Sequence, residues 1–142
     1  MKVIKLGILT LITVITASCG YSLLKGGEGN KKVENKRWQL IELLGKEVKG
    51  QPDTHYLIFH SKDKRVEARA GCNILLLPYT IKKQFALQIS KEGVSTMMAC
   101  PDNLEEELKG VLAEADNLTT DGQYLSINKG RMAPLARFKL IK

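Results

Sequence analysis

The sequence predicts a mainly β domain: a small, strongly curved antiparallel sheet, barrel-like, with one α-helix set between strands. Three observations predict it. Short apolar or alternating segments recur between turn residues, a single stretch after Asp102 changes to a helical period, and nowhere do strands and helices alternate as parallel βαβ units require. No internal repeat is evident.

Each element follows from local pattern. RWQLIELL, residues 37–44, leads with Trp38 and stops at Gly45, which predicts a first strand with Trp38 as a core anchor. HYLIFH, residues 55–60, is aromatic and β-branched between a Pro52, Asp53 turn and the polar SKDKR turn, a second strand buried on both faces at its centre. VEARA, residues 66–70, alternates, with Val66, Ala68 and Ala70 inward and Glu67 and Arg69 outward. Such one-sided solvation belongs to antiparallel sheets. Residues 75–81 and 85–89 form the next pair around Lys82, Lys83 and Gln84, with Phe85, Leu87 and Ile89 sharing a face.

From Asp102 the apolar residues Leu104, Leu108, Val111, Leu112 and Ala115 fall on one stripe of an amphipathic helix. Pro101 suits a helix start, and Glu105, Glu106 and Glu107 lie where the helix dipole favours negative charge. Gly110 weakens the helix without ending it. Strand signals return after Asn117: residues 124–128 follow the Asp121, Gly122 turn, and residues 135–141 close the chain with Ala136, Phe138 and Leu140 on one face.

The chain start gives an address. Lys2 and Lys5 precede an apolar run over residues 6–15, then Thr16, Ala17, Ser18 and Cys19. This is a secretory signal, too short in its apolar part for a comfortable membrane span. Small residues before Cys19 resemble the lipobox of bacterial lipoproteins, which implies cleavage after residue 18 and acyl chains on Cys19. Several buried chains anchor firmly, since each buried CH₂ contributes about 0.8 kcal/mol. Gly20 stands where Asp favours inner-membrane retention in enteric lipoproteins, so the expected location is the cell envelope, at the outer membrane facing the periplasm or the cell surface. Residues 19–36, rich in Gly, Lys, Glu and Asn without periodicity, are expected to be a flexible tether, and residues 37–142 a single small domain.

Removing residues 1–18 takes the formal charge from +7 to +5. The basic residues spread over the tether and the C-terminal strand instead of forming a stripe with interleaved aromatics, so no nucleic-acid partner is expected. A surface of this kind sits comfortably near anionic lipid.

With Cys19 assigned to lipid, Cys72 and Cys100 remain, an even number in an oxidising compartment. Paired, they would close a loop of roughly 29 residues and stabilise the fold by about 3.5 kcal/mol. Metal ligation is the rival, with His55 and His60 as partners. Those histidines stand at an odd offset, so in a strand they project to opposite faces. A nucleophilic cysteine would need the same histidines as base and orienting group. A copper site of Met97 and Met98 is a sharper reading of the methionines, and core filling by one of them, with the pair pointing to opposite faces of a strand, the plainer one. Gly71 permits a positive φ at a strand end, and Asn73 and Thr96 can bond backbone across a turn.

VEARAGCN, residues 66–73, and STMMAC, residues 95–100, together resemble the two signature stretches of the META domain, the family that includes the heat-shock protein HslJ. The likeness extends to Trp38, Leu40 and Gly45, the acidic helix, GQYLSI and LARFKLI. It marks Gly71, Asn73, Thr96, Met97, Met98 and Ala99 as motif positions. It implies a small barrel-like antiparallel fold with a helix, a Cys72–Cys100 disulfide, and an envelope role tied in some members to heat shock, novobiocin resistance or motility, without an established reaction. No catalytic set emerges from the residues, and they point to no metal or other cofactor. The expected function is that of a non-enzymatic, lipid-anchored envelope protein whose partners are the membrane, through Cys19, and an envelope protein. The alternative is a carrier of a small apolar ligand in the barrel interior, suggested by the leucine run 75–77.

Overall fold

The structure, a computed structural model, describes residues 31–142. Cys19 and the signal segment lie outside the described residues. The strands are β1 (Arg37–Leu43), β2 (Lys46–Glu47), β3 (His55–His60), β4 (Arg65–Ala70), β5 (Ile74–Ile81), β6 (Leu87–Ile89), β7 (Val94–Ser95), β8 (Asn117–Thr120), β9 (Tyr124–Asn128) and β10 (Ala136–Leu140). A 3₁₀ turn (Lys83–Phe85) precedes β6, and one α-helix, α1 (Leu104–Glu114), lies between β7 and β8. No helix among the described residues is long and apolar enough to cross a membrane.

All pairings are antiparallel, in the order β6-β5-β4-β3-β1-β10-β9-β8, with β2 beside β1 and β7 beside β5. The two ends of this path approach each other. Ala86 bridges Asn117, and the Leu87 N–H donates to the Asp116 carbonyl at 2.9 Å. The sheet is thus a nearly closed barrel, which leaves little free edge for unwanted strand pairing. A register shift between Leu40 and Glu42 against β10 adds the local bend that such curvature needs.

Alternation fills the interior. Trp38, Leu40, Leu57, Phe59, Val66, Ala68, Leu75, Leu77, Leu125, Ile127, Ala136 and Phe138 point inward and are buried, and α1 adds Leu108, Val111 and Leu112. Of the leucine run 75–77 that suggested an apolar ligand, Leu75 and Leu77 are part of this packed core and Leu76 is half-buried.

Several expectations shift. Segment 33–36, expected within the tether, belongs to the folded domain: Val33 and Glu34 are buried, Trp38 Nε1 donates to the Val33 carbonyl at 3.0 Å, and the Asn35 N–H donates to the Phe59 carbonyl at 2.8 Å. Phe85 turns at a φ of 59° instead of leading a strand, so β6 is shorter than expected. Met97 and Met98 are not in a strand, since β7 ends at Ser95, and neither fills the core: they are 96% and 57% exposed. Along α1, Glu105 is buried on the stripe of Leu108 and Leu112, while Leu104 is only half-buried. β2, β7 and β8 are short polar or mixed segments without strong strand patterning.

Candidate functional site

The motif residues meet at one corner, where the β4–β5 turn faces the loop leading into α1. Gly71 closes β4 with a φ of 117°, a conformation that disfavours any residue with a Cβ. Its N–H donates to the Thr54 carbonyl at 2.8 Å, and its carbonyl accepts from Arg69 Nε at 2.9 Å. Cys72 follows, placed at disulfide distance from Cys100 with the Cα atoms 6.1 Å apart, well inside the range a disulfide spans. The pair joins the end of β4 to the approach to α1.

Asn73 is the centre of the corner. Buried, it uses both ends of its amide: Oδ1 accepts from the Met98 N–H at 2.8 Å and from Thr96 Oγ1 at 3.0 Å, while Nδ2 donates to the Met98 carbonyl at 2.9 Å and approaches Cys100 Sγ at 3.1 Å. Thr96 Oγ1 in turn accepts from the Ile74 N–H at 3.0 Å. Past β7 the Thr96 N–H still donates to the Ile74 carbonyl at 3.2 Å, and beyond it the Asn73 and Thr96 side chains hold the loop in place of ladder bonds. Glu105 completes the corner from below. Its Oε2 accepts from the Asn73 N–H at 3.3 Å and lies 3.4 Å from Cys100 Sγ.

Because the loop is held by its backbone, its side chains face out. Met97, Met98 and Ala99 are exposed, and a groove of about 730 Å³ runs beside them, lined also by Val94, Thr96 and Lys109. Gly93 sits tightly at the groove's start, where a Cβ would collide with the Leu76 carbonyl.

The histidines do not join this corner as a pair. His60 lies on the outer face of β3, its Nε2 2.9 Å from Glu67 Oε2. Tyr56 donates to the other Glu67 oxygen at 2.6 Å. Burial alone would raise the Glu67 pKa, but the hydrogen bonds from Tyr56 and His60 outweigh it, and Glu67 is held below the usual carboxylate value; Tyr56 is raised by its burial and by that same bond. His55, at the start of β3, has its pKa lowered, chiefly by desolvation, against the charge of Asp102.

A second polar hub escaped the sequence reading. Glu34 Oε1 accepts from Tyr79 Oη at 2.6 Å and from Lys64 Nζ at 2.7 Å. Burial by itself raises the Glu34 pKa; the Lys64 and Tyr79 hydrogen bonds and the Lys64 charge overcome it, so the net shift is downward. Tyr79 is pushed far up by its burial and by the carboxylate. The Tyr79 ring also meets Phe59 edge-on at 4.9 Å.

The model of the META domain family matches residues 31–141, nearly all of the described chain and both signature stretches. The chain belongs to the META domain family. The match begins ahead of β1, in keeping with the burial of Val33 and Glu34 in this META domain. No curated protein matches the chain. A solved structure described as "NMR structure of the protein" is similar over 78% of this chain and 92% of its own, with a TM-score of 0.59 and 18% identity, a likeness of fold.

Proposed function

We propose that this META domain is a non-enzymatic binding module, carried on a lipid at Cys19 in the cell envelope, and that the Met97–Met98 loop is its contact surface. One observation carries the reading: the polar groups of the motif, Asn73 and Thr96, are engaged in fixing the loop backbone, and what the corner offers outward is methionine. Flexible, polarisable methionine suits contact with partner surfaces of varied shape. The export signal and the lipobox-like Ser18, Cys19 supply the address. A carrier role has less support, because Leu75 and Leu77 are engaged in the core.

Two arms test the proposal in a bacterium deleted for the gene and complemented with the full chain. Mass analysis of membrane-extracted protein is expected to find acyl chains on Cys19. Met97→Asp with Met98→Asp is expected to lose complementation of an envelope-stress defect while the protein stays folded and membrane-bound. An unmodified Cys19 would overturn the anchor, and full complementation by the double variant would overturn the contact surface.

A further inference from the structure

Glu105 is a buried carboxylate aimed at two sulfurs. Among the described residues its oxygens have one protein donor, the Asn73 N–H, at 3.3 Å. That is longer than the roughly 2.7–3.2 Å usual for an N–H···O bond. One ligand atom each from Cys72, Cys100 and Glu105 fits within 4.8 Å of the others. A tetrahedral Zn(II) with two thiolates and a carboxylate sets its ligand atoms about 3.3–3.8 Å apart, from bond lengths of about 2.3 Å to sulfur and 2.0–2.2 Å to oxygen. Small movements of the side chains reach that spacing once the sulfurs are no longer bonded to each other.

We propose that reduction converts this corner into a site for a thiophilic divalent cation of the Zn(II) type, with Cys72, Cys100 and Glu105 as its protein ligands. An external dithiol supplies the two electrons. It attacks the S–S bond, becomes a disulfide itself, and leaves Cys72 and Cys100 as thiols. The cation then displaces both thiol protons to solvent and bonds two thiolates and the Glu105 carboxylate, with water in the fourth position.

The loop does not depend on the disulfide alone for its place. Asn73 bonds both the N–H and the carbonyl of Met98, and Thr96 holds the Ile74 N–H, so the two cysteines stay close after reduction. Two thiolates beside a carboxylate, with Asp102, Glu106 and Glu107 around the start of α1, form an assembly that attracts a cation and repels an anion. Two cations oppose it: Lys109 on the groove wall, and Arg69, whose Nε donates to the Gly71 carbonyl one residue before Cys72. The corner would then have two fastened states: a covalent one under oxidising conditions and a metal-linked one under reducing conditions.

The experiment uses the full chain in detergent, as the disulfide or reduced with a phosphine, titrated with Co(II) alone and then with Zn(II) as competitor. The reduced chain is expected to bind one Co(II) with thiolate-to-cobalt absorption, to release it to Zn(II), and to show neither behaviour as the disulfide. Glu105→Gln, which keeps an acceptor for the Asn73 N–H, is expected to weaken binding on the order of tenfold or more while the thiolate absorption survives at saturation. Equal binding by the reduced and disulfide forms would overturn the site. So would an unchanged affinity in Glu105→Gln whose circular dichroism matches the parent. If that variant does not fold, the comparison of the two redox forms of the unaltered chain decides.

Discussion

At one end of β4 a neutral amide, Asn73, holds the loop before α1; at the other a carboxylate, Glu34, holds the segment before β1. Both fasten irregular chain to the same barrel, and both are buried. Their chemistry separates them. The side-chain amide of Asn73 bonds backbone groups, a hydroxyl and a disulfide sulfur, none of which changes charge with pH, and a redox-sensitive pair stands beside it. The Glu34 hub depends on a charge, and so on pH. Equivalent mechanical tasks thus give one end of the domain a sensitivity to reduction and the other a sensitivity to acid.

The largest way to break the comparison is to remove the covalent link. Cys72→Ser with Cys100→Ser, in metal-free buffer, is expected to lower unfolding stability by about 3.5 kcal/mol, from the loop that the bond closes. Urea unfolding read by Trp38 fluorescence checks it, and the loss should be similar at neutral and acid pH. Next is Asn73→Ala, which leaves the Met98 N–H and carbonyl and the Thr96 hydroxyl without the amide. The expected cost is about 2–3 kcal/mol. It too should be independent of pH.

Glu34→Gln sharpens the contrast from the other side. The folded-state pKa of Glu34 is depressed, so its stabilisation is present above the ordinary glutamate value and is lost as pH falls through the lowered one. The variant is therefore expected to be less stable than the parent by about 1–2 kcal/mol near neutrality, with the gap closing in acid. Glu67, depressed in the same direction, leaves the variant a residual acid dependence. Urea midpoints across a pH series distinguish these outcomes. The smallest effect belongs to Met97→Ala, within about 0.5 kcal/mol of the parent, because a side chain that is 96% exposed has little packing to lose.

The two hubs were not equally legible in the sequence. Gly71, Asn73, Thr96 and the cysteines carry turn chemistry and a motif spacing that announce a corner, and the structure brings them together. Strand parity does not hold for the methionines, because the backbone leaves the sheet after Ser95. Glu105 stands in the first helical turn, where acids are ordinary; its spacing of three and seven from Leu108 and Leu112 is the signal that it faces inward. Glu34 had no such signal. Its partners Lys64 and Tyr79 lie far along the chain, and the segment's Gly, Lys and Asn content resembles a linker. The barrel itself was readable because alternation around Trp38, Val66 and Phe138 reports burial directly, whereas β2, β7 and β8 owe their pairing to neighbours and not to their own composition.

The most direct test of a loop fixed by its backbone and exposed by its side chains is amide hydrogen exchange at two adjacent residues of the disulfide form. Met98 donates its N–H to buried Asn73, while the Met97 N–H has no partner among the described residues. The expected result is slow exchange at Met98 beside rapid exchange at Met97. Rapid exchange at both would contradict the account, because the Asn73 corner would then not hold the loop it is built around.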